Sequence, residues 1–445
     1  MWQYPDAIAI GRQIALLGVE LGIGRTEERQ LGHTGMFLIL TIGFVFSMFA
    51  VRITRAYLTA PMVFLAVGLA FSQANVIDAG QARETLHIVA EIALVLLLFL
   101  DAAQIDFKAL REHQTWPARM LVFGLPLAVV FGTVANVLIF PEWPLLVCAL
   151  VAALLAPTDA ALGQAVITNP LVPERVRNGI TVESGLNDGL ALPIILLLAS
   201  LVAGMSGRSG TDWALFGLQQ VALGTVAGLV IGLAGAVLLL FCKRKMLTSA
   251  TYEGVGAIAL AGSAYAFALV LGGNGFISAF VAGLAFGSRV RGRCKFVYEF
   301  VESDGQLLVW SAFFLLGLAM LPGAIAALDW RIGLAIMASL LVVRPLAIWL
   351  SMTGSQASGL TRLFFGWFGP RGLATALFAL LVAAEIGDPW ADVVMAIAFN
   401  AVWISALLHG VSAAPAAAYY SRHTEGMGEC AENRAMPARL DVQES

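Results

Sequence analysis

The chain has 445 residues, of which 59% are hydrophobic and 12% are Asp, Glu, Lys or Arg, with a formal net charge of −3. A soluble domain carries roughly half and about a quarter, so the composition excludes a soluble multidomain protein. The charge sum points to no nucleic-acid partner, because most of the surface faces lipid.

Continuously apolar runs at 94–100 and 236–240 exclude the alternating pattern of an outer-membrane barrel. The expected fold is therefore an all-α integral membrane protein. Residues 1–34 read as an N-terminal extension: the apolar stretch at 7–23 is interrupted by Arg12 and Glu20, which favours an interfacial helix over a further span. No removable signal is recognisable there. Apolar stretches long enough to cross about 30 Å of hydrocarbon follow at 35–51, 58–73, 86–101, 117–140, 144–168, 177–203, 213–241, 250–271, 275–288, 304–327, 331–352, 365–385 and 390–415, about thirteen spans.

Basic residues gather in alternate loops. Arg52 and Arg55, Lys108, Arg111 and Arg119, Arg175 and Arg177, Lys243, Arg244 and Lys245, and Arg289, Arg291, Arg293 and Lys295 all fall on one side, against Arg83, Arg208 and Arg331 on the other. Positive charge marks the cytoplasmic face, so the N-terminus is expected outside and the C-terminus inside a cell (plasma) membrane. The cysteines Cys148, Cys242, Cys294 and Cys430 lie in no metal-ligand spacing and read as free thiols. The histidines His33, His87, His113, His409 and His423 are scattered.

Spans four to six and eleven to thirteen are seven apart, so equivalent helices run in opposite directions, as in an inverted repeat. The middle span of each triplet is interrupted, by Pro157 before Thr158 and Asp159, and by Gly369, Pro370 and Gly372 around Arg371. Paired breaks of this kind point to an ion site in a transporter. The ionisable residues deep in the spans are Asp159, Glu183, Asp188, Arg344 and Arg371, all within these triplets. Each costs about 2.5–3.5 kcal/mol to insert.

On the sixth span a step of four places Ser184 with Asp188 on one stripe and Glu183 with Asn187 on the next. Ser184 and Asp188 can converge on an oxygen-seeking cation, Thr158 can add a hydroxyl or a freed carbonyl, and Glu183 and Asn187 can face the broken helix. Three acids against two arginines leave one carboxylate without a fixed counter-charge, which must take up a proton or a cation. Arg344 is assigned to Glu183 and Arg371 to Asp159, leaving Asp188 as carrier. Competition of H⁺ and cation for one carboxylate is a one-for-one exchange. An intramembrane aspartyl protease using Asp159 and Asp188, and a non-transporting receptor, explain the arginines and the matched breaks less well. Asp101, Glu253, Asp304 and Asp329 read as interfacial, and Glu91 as lining a funnel or snorkelling.

The motifs Ala156-Pro157-Thr158-Asp159, Val182-Glu183-Ser184-Gly185-Leu186-Asn187-Asp188-Gly189-Leu190-Ala191-Leu192-Pro193 and Gly369-Pro370-Arg371-Gly372 resemble those of the NhaP and sodium/hydrogen exchanger branch of the monovalent cation:proton antiporters, over about residues 35–415. The resemblance implies electroneutral exchange of Na⁺, with Li⁺ or K⁺ as alternatives, for H⁺, without a cofactor, in an NhaA-like fold with two crossed, broken helices. It implies Na⁺ at Asp188, Ser184 and the Thr158 backbone, support from Glu183, and crossed helices tied by Asp159, Asn187, Arg344 and Arg371. It further implies a homodimer, with a transport core at 117–203 and 331–415 and interface helices at 35–101 and 213–327. Where family members show Thr-Asp-Pro, this chain has Asp159-Ala160. Residues 416–445 read as a short, polar cytoplasmic tail without a large regulatory domain.

Overall fold

The computed structural model describes residues 37, 40–50, 52, 58–74, 79–105, 115–167, 169–204, 210–290, 295–425 and 431–432. The N-terminal extension, Arg55, Lys108, Arg111, Arg208, Arg291, Arg293, His33, His113, Cys294 and Cys430 lie outside them. Among the described residues there is no β-strand, and seven helices are long and apolar enough to cross a membrane. The protein is a multi-pass membrane protein.

In chain order the helices are α1 (Leu40–Ala50), α2 (Ala60–Gln73), α3 (Ala79–Ala103), α4 (Thr115–Ile139), α5 (Leu145–Leu154), α6 (Ala160–Ile167), α7 (Glu174–Gly204), α8 (Gly210–Arg244), α9 (Ala250–Val270), α10 (Gly275–Val290), α11 (Lys295–Ala319) and α12 (Leu321–Ala326). There follow α13 (Trp330–Ser351), α14 (Gly359–Trp367), α15 (Leu373–Ile386) and α16 (Trp390–Glu425). The stretch expected as one fifth span is thus two half-helices, α5 and α6, and the twelfth is α14 and α15. Both interruptions fall where Pro and Gly place them, because Pro157 and Pro370 supply no N–H and disfavour a continuing helix.

The helix that carries the third span begins at Ala79, although its membrane-length stretch, Thr85–Ala103, starts within one residue of the expected 86. The last helix runs past Pro415 to Glu425, and Tyr420, Ser421 and Thr424 on its final turns are buried. The tail boundary near 416 therefore moves outward: the polar-looking segment packs Ala417 and Tyr420 in one cluster with Phe364 of α14 and Phe368 just beyond it.

Helix α2 packs on α11, α3 packs on both α10 and α11, and α8 packs on α10. Gly224, Gly228 and Gly232 line the α8 face of the last contact, where an added Cβ would come within 2.4–2.6 Å of carbonyl oxygens of Asn274, Ser278 and Ala282. Small residues at four-residue spacing let membrane helices approach this closely. The second group, α4 to α7 with α13 to α16, contains every deep charge and both breaks.

Helices α4 and α13 each contain a π turn, at Met120–Gly124 and Ser339–Val343. Each is followed two residues later by the same tripeptide, Pro126-Leu127-Ala128 and Pro345-Leu346-Ala347. A helical proline cannot donate to the carbonyl four residues before, Val122 or Leu341, and its ring crowds that carbonyl; a wider turn relieves both. The matching position of the two π turns in the first helix of each triplet is a further mark of the internal repeat.

Candidate functional site: the crossing of two broken helices

The unwound segments 155–159 and 368–372 cross and satisfy one another's backbone groups. The Asp159 N–H donates to Pro370 O at 2.8 Å, and Asp159 Oδ2 accepts from the Leu373 N–H at 2.8 Å, at the start of α15. A carboxylate there also faces the positive end of a helix. Arg371 donates through Nε to Leu155 O at 2.7 Å, through a second nitrogen to Gly369 O, and through the third to Ser339 Oγ at 3.1 Å. The expected Arg371 to Asp159 assignment is thus corrected. Each joins the two breaks, but Asp159 does so through the backbone of 370–373 and Arg371 through freed carbonyls. Opened helix ends offer neutral acceptors that a count of charges does not register.

The two glycines flanking Pro370 and Arg371 are required by this close approach. A Cβ on Gly369 would lie 1.6 Å from Arg344 Nε, and one on Gly372 would lie 1.7 Å from Asp159 Oδ2.

Arg344 and Glu183 form a two-pronged ion pair, 3.1 Å and 3.0 Å, with both side chains 5% exposed. This is the assigned pairing. The π turn of α13 makes it compatible with the Arg371 anchor. Its Arg344 N–H bonds to Ser339 O, so residues five apart lie on one face, whereas a regular α-helix would set them about 140° apart. Ser339 thereby reaches Arg371 while Arg344 reaches Glu183.

On α7 the two predicted stripes meet the first break. Thr158 Oγ1 lies 3.3 Å from Glu183 Oε2 and 3.1 Å from Ser184 Oγ, and accepts from Asn187 Nδ2 at 2.5 Å. Asn187 Nδ2 also reaches Glu183 Oε1 at 3.3 Å. Thr158, Glu183, Ser184, Asn187, Arg344 and Arg371 are all buried. Asp188, one turn beyond Ser184, presents a buried Oδ1 with no hydrogen-bond partner among the described residues. The carboxylates of Asp159, Asp101 and Glu183 lie close enough to act on it electrostatically. Glu183 is paired with Arg344, whereas Asp188 Oδ1 has no such partner among the described residues. An all-oxygen set of this kind suits a hard cation.

Asp101 falls differently from its sequence reading, while Glu253 and Asp329 lie at helix ends as read. Asp101 does not sit apart at the interface. The α3 helix passes Gly185, where a Cβ would be 3.3 Å from Asp101 Cβ, and this brings its carboxylate into the field of Asp188. Glu253 is buried and paired with Lys243 at 3.0 Å. Asp329 caps α13, accepting from the Ile332 N–H at 2.7 Å. Glu91 accepts from Tyr265 Oη. Cys148 and Cys242 are free thiols. Sequence reasoning missed Glu385, a half-buried carboxylate on α15 that accepts from Ser200 Oγ at 2.8 Å. Its position, one residue from the end of an apolar run, was the available signal.

The transmembrane model of the sodium/hydrogen exchanger matches residues 37–419. The K(+)/H(+) antiporter NhaP2 of Shewanella sp. (strain ANA-3) is 30% identical over 368 residues, covering 80% of this chain and 62% of that protein. The K(+)/H(+) antiporter NhaP of Alkalimonas amylolytica is 26% identical over 390 residues, covering 85% and 66%. The chain therefore spans under two thirds of these relatives' length. The solved structure of the sodium proton antiporter MjNhaP1 from Methanocaldococcus jannaschii at pH 8 superposes with a TM-score of 0.72 at 19% identity, over 88% of this chain and 99% of that one. That likeness is one of fold.

Proposed function

The chain belongs to the transmembrane sodium/hydrogen exchanger family, and from that membership and the geometry of the crossing we propose that it is a secondary antiporter exchanging one monovalent cation for one proton. The observation that carries the proposal is the buried, unpartnered Oδ1 of Asp188, beside a Glu183 that Arg344 has already neutralised. A carboxylate in low dielectric with no counter-charge is stabilised by binding either H⁺ or a metal cation. It cannot hold both, and this exclusion couples the two fluxes.

In this reading Asp188 binds the cation or the proton, and Ser184 and Thr158 supply neutral oxygens to the cation. Glu183 and Asn187 orient Thr158, and Arg344 keeps Glu183 charged yet balanced. Asp159 and Arg371 tie the crossed segments so that the site moves as one body during alternating access. Because one charge replaces another at one carboxylate, steady-state exchange is electroneutral.

Na⁺ is the leading substrate. K⁺ is the second reading, favoured by the likeness to the K(+)/H(+) antiporters of Shewanella and Alkalimonas. The two ions differ in the size and number of oxygens they need, and Thr158 and Ser184 set that size here. A homodimer in the plasma membrane, with transport core at 117–203 and 331–415, basic loops in the cytoplasm, N-terminus outside and C-terminus inside, belongs to the same proposal.

The test is dissipation of an imposed pH gradient in proteoliposomes on addition of Na⁺, Li⁺ or K⁺. At least one cation moves protons with the parent protein, and none does with Asp188→Asn. Silence of the parent with every cation overturns the transport reading; full activity of Asp188→Asn overturns the choice of carrier.

A further inference from the structure

The break at 368–372 leaves polar backbone groups that no helix ladder serves, and buried groups of this kind must find partners. Within the crossing, Pro370 O, Gly369 O and the Leu373 N–H are served by Asp159 and Arg371. Two others are served from α16: the Arg371 N–H, and Trp367 O, which also accepts from the Gly369 N–H at 2.9 Å. The Arg371 N–H donates to Ser405 Oγ at 2.8 Å, and His409 Nε2 lies 2.8 Å from Trp367 O.

The chemistry of these atoms fixes the direction of the bonds. A carbonyl only accepts, so His409 Nε2 carries a hydrogen and donates it to Trp367 O. Nδ1 of the same ring faces Ser405, whose Oγ and carbonyl O lie 3.1 Å and 2.8 Å away. It can accept from the hydroxyl or, as imidazolium, donate to the carbonyl, so the tether to Ser405 holds in either protonation state. Both residues are buried. Trp367 is clasped a second time, by Nε1 donating to Ser412 Oγ at 2.9 Å, with its ring 5.5 Å from that of His409.

We propose that Ser405 and His409 are positioning residues for cation binding. They hold both ends of the unwound segment, and so fix Arg371 and, through its bond to Leu155 O, the stretch that presents Thr158. They touch no ion themselves. The proposal rests on the antiporter reading above.

The test measures Na⁺-driven exchange in proteoliposomes, with K⁺ in its place if the parent prefers it, and fits half-saturating concentration and maximal rate separately. In His409→Ala the half-saturating concentration rises about tenfold, equivalent to about 1.4 kcal/mol, while the maximal rate falls less than about threefold. His409→Gln, whose side-chain N–H can donate to Trp367 O, stays within about threefold of the parent in both. If His409→Ala does not fold, Ser405→Ala against Ser405→Thr carries the same contrast. An unchanged half-saturating concentration in the alanine variants, or an equal loss in the conservative ones, overturns the proposal. Failure of the parent to exchange any cation refutes instead the transport reading on which it rests.

Discussion

Replacing Arg344 by Met removes both prongs of the Glu183 ion pair and leaves a carboxylate with 5% exposure. Breaking a buried pair from one side costs about 3–5 kcal/mol, because the remaining charge keeps its desolvation penalty and loses its compensation. The exposed alternative, about 0–1 kcal/mol for a surface pair, does not apply at this burial. Glu183 retains Thr158 Oγ1 and Asn187 Nδ2 at 3.3 Å each, which offset only part of the loss, so a fall of about 3 kcal/mol in unfolding free energy is expected. The double variant Glu183→Gln with Arg344→Met leaves no buried charge and recovers most of that loss. Denaturant titration in mixed micelles on the parent, both single variants and the double variant gives the coupling directly. A loss under about 1 kcal/mol for Arg344→Met, or a double variant equal to the sum of the singles, would refute the claim that this is one balanced, desolvated unit.

Gly369→Ala and Gly372→Ala each place a Cβ within 1.7 Å of a buried polar atom. They are expected to abolish exchange and lower the melting temperature, whereas Gly256→Ala on α9, with nothing within 4 Å, leaves both close to the parent. Glu432 accepts from the Ser358 N–H at 2.9 Å and Thr361 Oγ1 at 2.7 Å, at the N-terminus of α14. Glu432→Ala is predicted to cost about 1 kcal/mol through loss of the cap and to speed hydrogen exchange in the first turn of α14; unaltered protection there would count against the cap. Imposed membrane potential is expected to leave the steady-state exchange rate unchanged, and marked acceleration by voltage would argue for unequal stoichiometry.

Much of the crossing was legible because its causes are local. Pro157 and Pro370 interrupt apolar runs, and the four-residue step of Glu183 and Asn187, or Ser184 and Asp188, follows from helix geometry alone. What escaped depended on the third dimension. Charge counting alone pairs Arg371 with Asp159, yet an opened helix supplies carbonyls, and Leu155 O and Gly369 O take the guanidinium. Asp101 lies near a span end in sequence, but the contact of α3 with Gly185 carries it beside the Ser184 to Asp188 stretch of α7. The π turns had a signal in the repeated Pro-Leu-Ala, although a proline in a helix is compatible with several local responses. Ser405 and His409 had none, since their value lies in the backbone groups of another segment. The segment beyond 416 looked like a polar tail because its composition was read without the partner, Phe364 of α14, that buries Tyr420.

The central claim, that one carboxylate holds either the proton or the cation, is tested most directly by cation affinity as a function of pH in the purified protein, followed by cation-dependent thermal stabilisation. On the acidic limb the apparent dissociation constant is expected to rise about tenfold for each unit fall in pH, the signature of one competing proton. In Asp188→Asn both the binding and its pH dependence are expected to vanish. An affinity that does not change with pH, or a competition that survives in Asp188→Asn, would contradict it.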